Sequence, residues 1–189
     1  MHNGGGDLKA LQNQKRMCGF SHILEVMNLI PEKIQPYFKA MHQTTDGDNN
    51  LIEGILTCCN AHDFDVFVIG EIKHSMLSKM YLFSKNNKIA IEVRCRKCGK
   101  VISVFDSSRD GYEKCGKDQD THMPAKPVDC KKCQNGSFSV GIKYEYPDIQ
   151  ELKELEIAEA DNAFTWIWVT LKCNKCGAIY KDFINYETC

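Results

Sequence analysis

Three pairs of cysteines, each with two residues between its members, carry the chemistry that this sequence encodes most clearly. They are Cys95 with Cys98, Cys130 with Cys133, and Cys173 with Cys176. A short Cys-x-x-Cys turn presents two sulfurs to one ion, and two such turns complete the four thiolates of a tetrahedral structural zinc site. The sequence therefore predicts one site built from the second and third pairs.

A second site needs partners for Cys95 and Cys98, and the segment around residue 58 offers three candidates. Cys59 and His62 keep the spacing of two intervening residues and would give a Cys3His site, which zinc accepts. Cys58 with Cys59 is the alternative, although the side chains of adjacent residues diverge. We favour Cys59 as one ligand and leave the fourth place open between His62 and Cys58. The expected cofactor is Zn²⁺, one or two ions per chain.

The two halves of the chain repeat one plan. Residues 91–102 read IEVRCRKCGKVI and residues 169–180 read VTLKCNKCGAIY, so both have a Cys-x-x-Cys-Gly turn between apolar, β-branched flanks. Glycine after the second cysteine allows a tight backbone turn, and the flanks favour strands. This internal duplication argues against a crossed site that joins Cys95 and Cys98 to Cys130 and Cys133.

The spacing of apolar residues predicts a mainly β (α+β) chain with a short helical N-terminal region. Residues 8–41 have loosely helical spacing that Pro31 and Pro36 interrupt, and Thr44 to Asn50 is a polar, turn-rich tract. We expect a helical region and linker over 1–50, repeats over 51–112 and 130–189, and a connecting loop over 113–129. Asp148 also begins a capping box, which predicts a helix up to Asp161.

The duplicated cysteine turns resemble those of the zinc-ribbon group, and the resemblance covers roughly Cys58 to Glu187 as two copies. It implies two antiparallel, zinc-ribbon-like sheets, each with zinc held between two turns. We expect a tandem zinc-ribbon-like protein of a bacterial family. The chain departs from a short ribbon in its spacer, since 39 residues lie between Cys133 and Cys173 against about 15–20 in the short form.

Composition and charge restrict the choice of compartment and partner. A net charge of −1 gives no general attraction to polyanions. The first 30 residues lack a basic start followed by an apolar core, and no apolar run approaches the ~18 residues of a membrane span. Eleven cysteines, six of them in Cys-x-x-Cys pairs, are then typical of metal binding in a reducing cytoplasm. Cys18, Cys115 and Cys189 receive no role from the sequence.

A non-catalytic binding module with a protein or nucleic-acid partner is the function that these patterns favour. Trp166 and Trp168 alternate on one strand and share a face, which Phe138, Tyr144 and Tyr180 would join unless they form the core. With nearby lysines such a face suits single-stranded nucleic acid. The candidate lysines are Lys131, Lys132, Lys172 and Lys175.

Enzymatic function is not favoured by the motifs present. The pattern of the zinc deaminases fails, because Asp63 follows His62 and Pro127 stands three residues before Cys130. A dithiol/disulfide redox protein that uses its Cys-x-x-Cys pairs is the alternative, although such pairs normally open a helix rather than join two strands. A structural protein that binds one partner through shape is a further possibility.

Overall fold

The computed structural model describes residues 30–46, 49–75, 79–86, 88–111, 123–147 and 164–188. Over these residues the chain is mainly β, with one 3-10 turn (Gln35–Tyr37). The strands are β1 (Phe38–Asp46), β2 (Asn49–Leu56), β3 (Phe64–Ile69), β4 (Glu71–His74), β5 (Met80–Phe83), β6 (Ala90–Cys95), β7 (Val101–Asp106), β8 (Lys126–Pro127), β9 (Ser137–Tyr146), β10 (Trp166–Cys173) and β11 (Ile179–Glu187).

Each half contributes a three-stranded antiparallel ribbon with the same strand order. In the first, β6 pairs with β3 and β7; in the second, β10 pairs with β9 and β11. The register is also the same, because Phe64 lies opposite Cys95 and Phe138 lies opposite Cys173. The duplication seen in the cysteine turns therefore extends along all three strands.

The two ribbons are joined because the strand that precedes the first cysteine turn of each ribbon pairs with the other ribbon. β2 leads to Cys58 but pairs with β9 of the other ribbon, and β8 leads to Cys130 but pairs with β3. β3 and β9 also pair with each other where they begin. Within the described residues this produces one curled, nine-stranded sheet, while β4 and β5 form a separate hairpin.

The short helical N-terminal region is not supported in the part of it that the structure describes. From Ile30 the chain makes one 3-10 turn and enters β1, which pairs with β2 from Phe38 opposite Leu56 to Asp46 opposite Asn49. The tract expected to be a linker thus supplies the end of β1 and the start of β2. Residues 1–29, and the helix predicted from Asp148 to Asp161, lie outside the described residues.

Buried and partly exposed side chains alternate along the strands, so one face of the sheet lies in the core. Every second residue of β9, from Phe138 to Tyr146, is buried, and β10 follows the same pattern. The buried side chains of both ribbons belong to one hydrophobic cluster, which includes Phe64, Phe105 and Phe164. Since both ribbons share one core, they position their cysteine turns as a single folded unit.

Candidate metal centres

The cysteine turns of the second repeat bring four sulfurs together. The Sγ atoms of Cys130, Cys133, Cys173 and Cys176 all lie within 4.8 Å of one another. Cys130 lies 3.6 Å from Cys176, and Cys133 lies 3.6 Å from Cys173. A tetrahedral ion with metal–sulfur bonds of about 2.3 Å requires sulfurs about 3.8 Å apart, whereas a disulfide requires about 2.05 Å. The spacing therefore fits a tetrathiolate metal site.

Backbone hydrogen bonds fix the turn that carries Cys173 and Cys176. The Cys173 N–H donates to the Ala178 carbonyl at 2.8 Å, and the Gly177 N–H donates to the Cys173 carbonyl at 3.0 Å. Gly177 adopts φ +71°, and among the described residues no neighbouring atom lies within 4 Å of the position that a Cβ would occupy there. The glycine is therefore favoured by the backbone conformation and not by crowding.

The turns at Cys95 and Cys130 have the same geometry. Cys95 exchanges hydrogen bonds with Lys100 and Gly99, and Cys130 exchanges them with Asn135 and Gln134. Gly99 has φ +76°, while Gln134 adopts φ +58° without being a glycine. Three of the four turns thus present their sulfurs through one backbone motif.

The fourth turn, which begins at Cys58, has a different backbone conformation. This conformation explains how two adjacent cysteines contribute their sulfurs to one cluster. The N–H and carbonyl of Cys58 both bond to Ala61, at 3.0 and 2.9 Å. The central residues Cys59 and Asn60 both have positive φ, +55° and +58°, as in a type I′ turn. The Sγ atom of Cys58 lies 3.8 Å from that of Cys59 and 3.6 Å from that of Cys98.

Among the described residues the first cluster contains Cys58, Cys59, Cys95 and Cys98, and it does not contain His62. The Nδ1 atom of His62 lies 3.0 Å from the Leu56 carbonyl oxygen, and the side chain is exposed. Of the two alternatives left open by the sequence, the structure therefore brings Cys58 to the fourth place. The left-handed backbone at Cys59 overcomes the divergence expected of neighbouring side chains.

Burial and hydrogen bonding have opposite effects on the pKa values of the thiols in the second cluster. Burial opposes ionisation of Cys130, but the Tyr180 hydroxyl and the N–H groups of Cys133 and Lys132 stabilise its thiolate and lower its pKa to about 6. Burial raises the pKa of Cys133 to about 12. One thiolate is thus stabilised by the protein, and a bound cation would supply the charge that lets its neighbours ionise.

The first cluster shows the same opposition between its members. A hydrogen bond from the Lys100 N–H is the main cause that lowers the pKa of Cys98 to about 7. Burial is the main cause that raises the pKa of Cys58 to about 12. Each cluster therefore contains one cysteine whose thiolate is stabilised by hydrogen bonds and one whose ionisation is opposed by burial.

Tyr180 is a site residue that the sequence did not reveal as such. Its hydroxyl lies 3.1 Å from the Cys130 Sγ, and its ring packs at 6.4 Å from Phe138. Burial and the Cys130 thiolate raise the pKa of Tyr180 to about 12, so the hydroxyl remains the donor. The register places Ile102 at the matching position of the first repeat.

The predicted aromatic face contains the two tryptophans without the other aromatics. Trp166 and Trp168 are half-buried and stack with ring centroids 5.5 Å apart. The register pairs Trp168 with Lys143 and Ile167 with Tyr144, so Tyr144 points to the opposite face. Phe138, Tyr144 and Tyr180 are core residues.

The predicted lysines do not form one surface. Lys172 and Trp168 both line a groove on the outer face, but Lys131 donates to the Ser75 carbonyl at 3.1 Å. Lys132 and Lys175 are exposed on their turns. Lys143, which was not among the predicted lysines, has its ammonium 4.4 Å from the centre of the Trp168 ring.

The fold and the two clusters define a mainly β protein with two candidate tetrathiolate metal centres. Comparison with protein-family models, curated proteins and solved structures finds no match for this chain. In the part of the chain that the structure describes, no helix has the length and apolar character needed to cross a membrane. Cys18, Cys115 and Cys189 lie outside that part.

Proposed function

We propose that the protein is a non-catalytic binding module in which two structural zinc ions hold the sheet that carries its interaction surface. One observation supports this most directly: each cluster gathers four cysteine sulfurs within 4.8 Å. Four thiolates close a tetrahedral ion, so no position remains for water or a substrate. A site of this kind contributes to folding and not to catalysis.

Zinc is the metal of this proposal, and iron is the competitor that the ligands also accept. Zinc ions would link β2 and β3 to β6 and β7 through the first cluster, and β8 and β9 to β10 and β11 through the second. The cysteines lie at the ends of these strands or in the turns between them. Zinc at both centres would therefore hold the exchanged strands in place.

The dithiol/disulfide alternative is less well supported by the distances. The shortest Sγ separations join different turns: Cys58 with Cys98, Cys130 with Cys176, and Cys133 with Cys173. A redox pair of the Cys-x-x-Cys type uses the two cysteines of a single turn. All eight cysteines of the clusters are free thiols in the structure. Because thiolate metal sites need reduced cysteines, the proposal places the protein in a reducing compartment.

Elemental analysis with a parallel thiol count tests the proposal. For protein purified without chelator we expect two zinc ions per chain, no visible absorption from iron, and eight cysteines that react with a thiol reagent only after chelation. One zinc ion per chain would restrict the proposal to one repeat. The zinc content of the Cys130→Ser and Cys98→Ser variants would then identify which repeat holds the ion. Absence of zinc together with oxidised Cys-x-x-Cys pairs would overturn it in favour of the redox alternative.

A further inference from the structure

The outer faces of the two ribbons differ at one structurally equivalent position. Phe67 lies opposite Glu92 three residues after Phe64, and Gly141 lies opposite Thr170 three residues after Phe138. Both positions face away from the core. The first repeat thus carries an aromatic ring where the second carries no side chain.

In the first repeat the ring at this position is covered by the protein itself. The guanidinium carbon of Arg94 lies 5.2 Å from the centre of the Phe67 ring, a cation–π contact. The backbone of Phe67 pairs with Pro127 of β8. The cavity that remains beside Phe67 has a volume of ≈ 310 Å³.

In the second repeat the same place is an open groove of ≈ 820 Å³ with Gly141 in its floor. The register puts Lys172 at the position of Arg94 and pairs Gly141 with Ile55 of β2, as Phe67 pairs with Pro127. A Cβ at Gly141 would lie 3.8 Å from the Thr170 Cβ, which is ordinary contact. The backbone therefore has room for a Cβ at Gly141, and the lack of a side chain there leaves the groove open.

The groove has apolar walls, and its charged lining residues are three lysines with Glu53 and Asp182. Trp168 and Ile55 line it, and Met41 and Ile179 remain 54% and 63% exposed beside it. Exposed side chains of this size on one face are typical of an interaction site. The basic side chains that also line the groove are Lys143, Lys172 and Lys181.

We propose that this groove binds an aromatic side chain of a partner protein, presented on a segment with neighbouring acidic residues. The incoming ring would occupy the place that Phe67 fills in the first repeat, with Lys172 in the role of Arg94. The acidic neighbours would meet Lys143 and Lys181. This inference rests on the proposed binding-module function and names the partner of its surface.

A protein segment fits the groove better than single-stranded nucleic acid. The Trp168 ring already has two neighbours, because Trp166 stacks on it and the Lys143 ammonium lies over it, and these contacts compete with the stacking of a base. The apolar part of the lining suits an aromatic anchor.

Selection of random twelve-residue peptides on the full-length, metal-loaded protein tests the proposal. Gly141→Phe refills the groove in the manner of the first repeat, and Gly141→Ala adds only a methyl group as the matched control. Retention of the metal content of the wild type would show that each variant has folded. The two tryptophans of the chain are Trp166 and Trp168, so intrinsic fluorescence reports binding at this face.

We expect the selected peptides to contain an aromatic residue with acidic neighbours and to change the tryptophan emission. Gly141→Phe should weaken their binding at least tenfold, Gly141→Ala less than threefold, and Lys172→Glu about tenfold for the acidic peptides. Peptides without an aromatic residue, or affinity unchanged by Gly141→Phe, would overturn the proposal.

Two other occupants give distinct results that would also overturn it. Oligothymidylate that binds the wild type and not Gly141→Phe would identify nucleic acid as the ligand. A wild-type dimer in sedimentation that Gly141→Phe converts to a monomer would identify a second copy of the chain. Because the metal and thiol content is measured separately, failure here leaves the structural-zinc proposal to its own test.

Discussion

Phe64 of β3 lies directly opposite Phe138 of β9, and the two residues occupy the same position in their respective repeats. An approximate twofold axis therefore passes between them. Each phenylalanine also faces a cluster cysteine on its other side, Cys95 for Phe64 and Cys173 for Phe138. Both candidate metal centres thus flank the middle of the sheet, where the ribbons meet.

Backbone contacts near the axis follow this symmetry while the side chains break it. The Arg96 N–H donates to the Asp63 carbonyl and the Asn174 N–H donates to the Ser137 carbonyl, both at 3.0 Å. In addition, Ser137 and Asn174 both donate side-chain hydrogen bonds to the Asp63 carboxylate. The polar side chains at this junction connect the two repeats to each other.

Loss of one metal centre is expected to destabilise the whole sheet. Cys173→Ser removes a ligand whose metal contributes on the order of 10 kcal/mol, and β9 of that repeat pairs with β2 and β3. We expect loss of one metal ion and a single unfolding transition at a clearly lower temperature by calorimetry. Unchanged thermal stability and metal content would contradict this prediction.

Cys58 and His62 can be separated as ligands by matched variants. Cys58→Ser should lower the metal content from two ions to one, because Cys58 completes the first cluster. His62→Ala should retain both ions, since its ring contacts the Leu56 carbonyl. Elemental analysis of the two purified variants measures their metal content. Loss of one ion in His62→Ala, with both ions retained in Cys58→Ser, would favour the Cys3His site instead.

Tyr180→Phe should weaken the second centre without abolishing it. The change removes a hydrogen bond to the Cys130 sulfur, and loss of such an outer contact costs about 10–100-fold in metal affinity. Competition with a chromophoric chelator measures the effect at each site. Tyr144→Phe is the control, because the Tyr144 hydroxyl is buried and has no hydrogen-bond partner among the described residues. Equal metal affinities in the two variants would exclude the role of Tyr180.

Alanine at either turn glycine should cost stability through backbone strain alone. Gly99 and Gly177 have φ +76° and +71° and no atom near a potential Cβ, so each change should cost about 1–2 kcal/mol. Gln134→Gly is the reciprocal variant, and relief of strain at φ +58° should leave stability equal or higher. Urea unfolding of the metal-loaded proteins measures all three. A cost below measurement at both glycines would show that these turns need no left-handed residue.

Asp106→Asn should produce a pH-dependent loss of stability. Burial alone would raise the pKa of Asp106, but hydrogen bonds from Ser108 and the charges of Lys88 and Arg109 outweigh it and lower the pKa below its ordinary value. A lowered folded-state pKa stabilises the fold above the unfolded-state pKa of about 4, and this contribution is lost as the pH falls. The difference in unfolding free energy between wild type and variant should be about 1–2 kcal/mol at pH 7 and should shrink as the pH falls below about 4. A difference independent of pH would contradict the assignment.

The sequence was sufficient to predict those parts of the site whose residues lie within one turn. The three Cys-x-x-Cys pairs and the duplication were predictable because thiol spacing and the following glycine are local features, and the structure gathers the pairs into two clusters. The helical prediction is not supported in the described part of the N-terminal region, because β1 obtains its hydrogen bonds from β2 there, and such pairing overrides local preference. The sequence left open whether Tyr144 joins Trp168 on one face or forms part of the core, and the register of β9 and β10 directs the two residues to opposite faces.

The sequence alone determined the three Cys-x-x-Cys pairs, the strand-rich composition and the twofold repetition, since each depends on residues close together in the chain. The tertiary structure decided that Cys58 completes the first cluster, because positive φ angles at Cys59 and Asn60 turn both sulfurs inward. It also decided the strand exchange and the groove above Gly141, because both depend on pairing between strands far apart in sequence. Such pairing is fixed only when the two ribbons bury a common core.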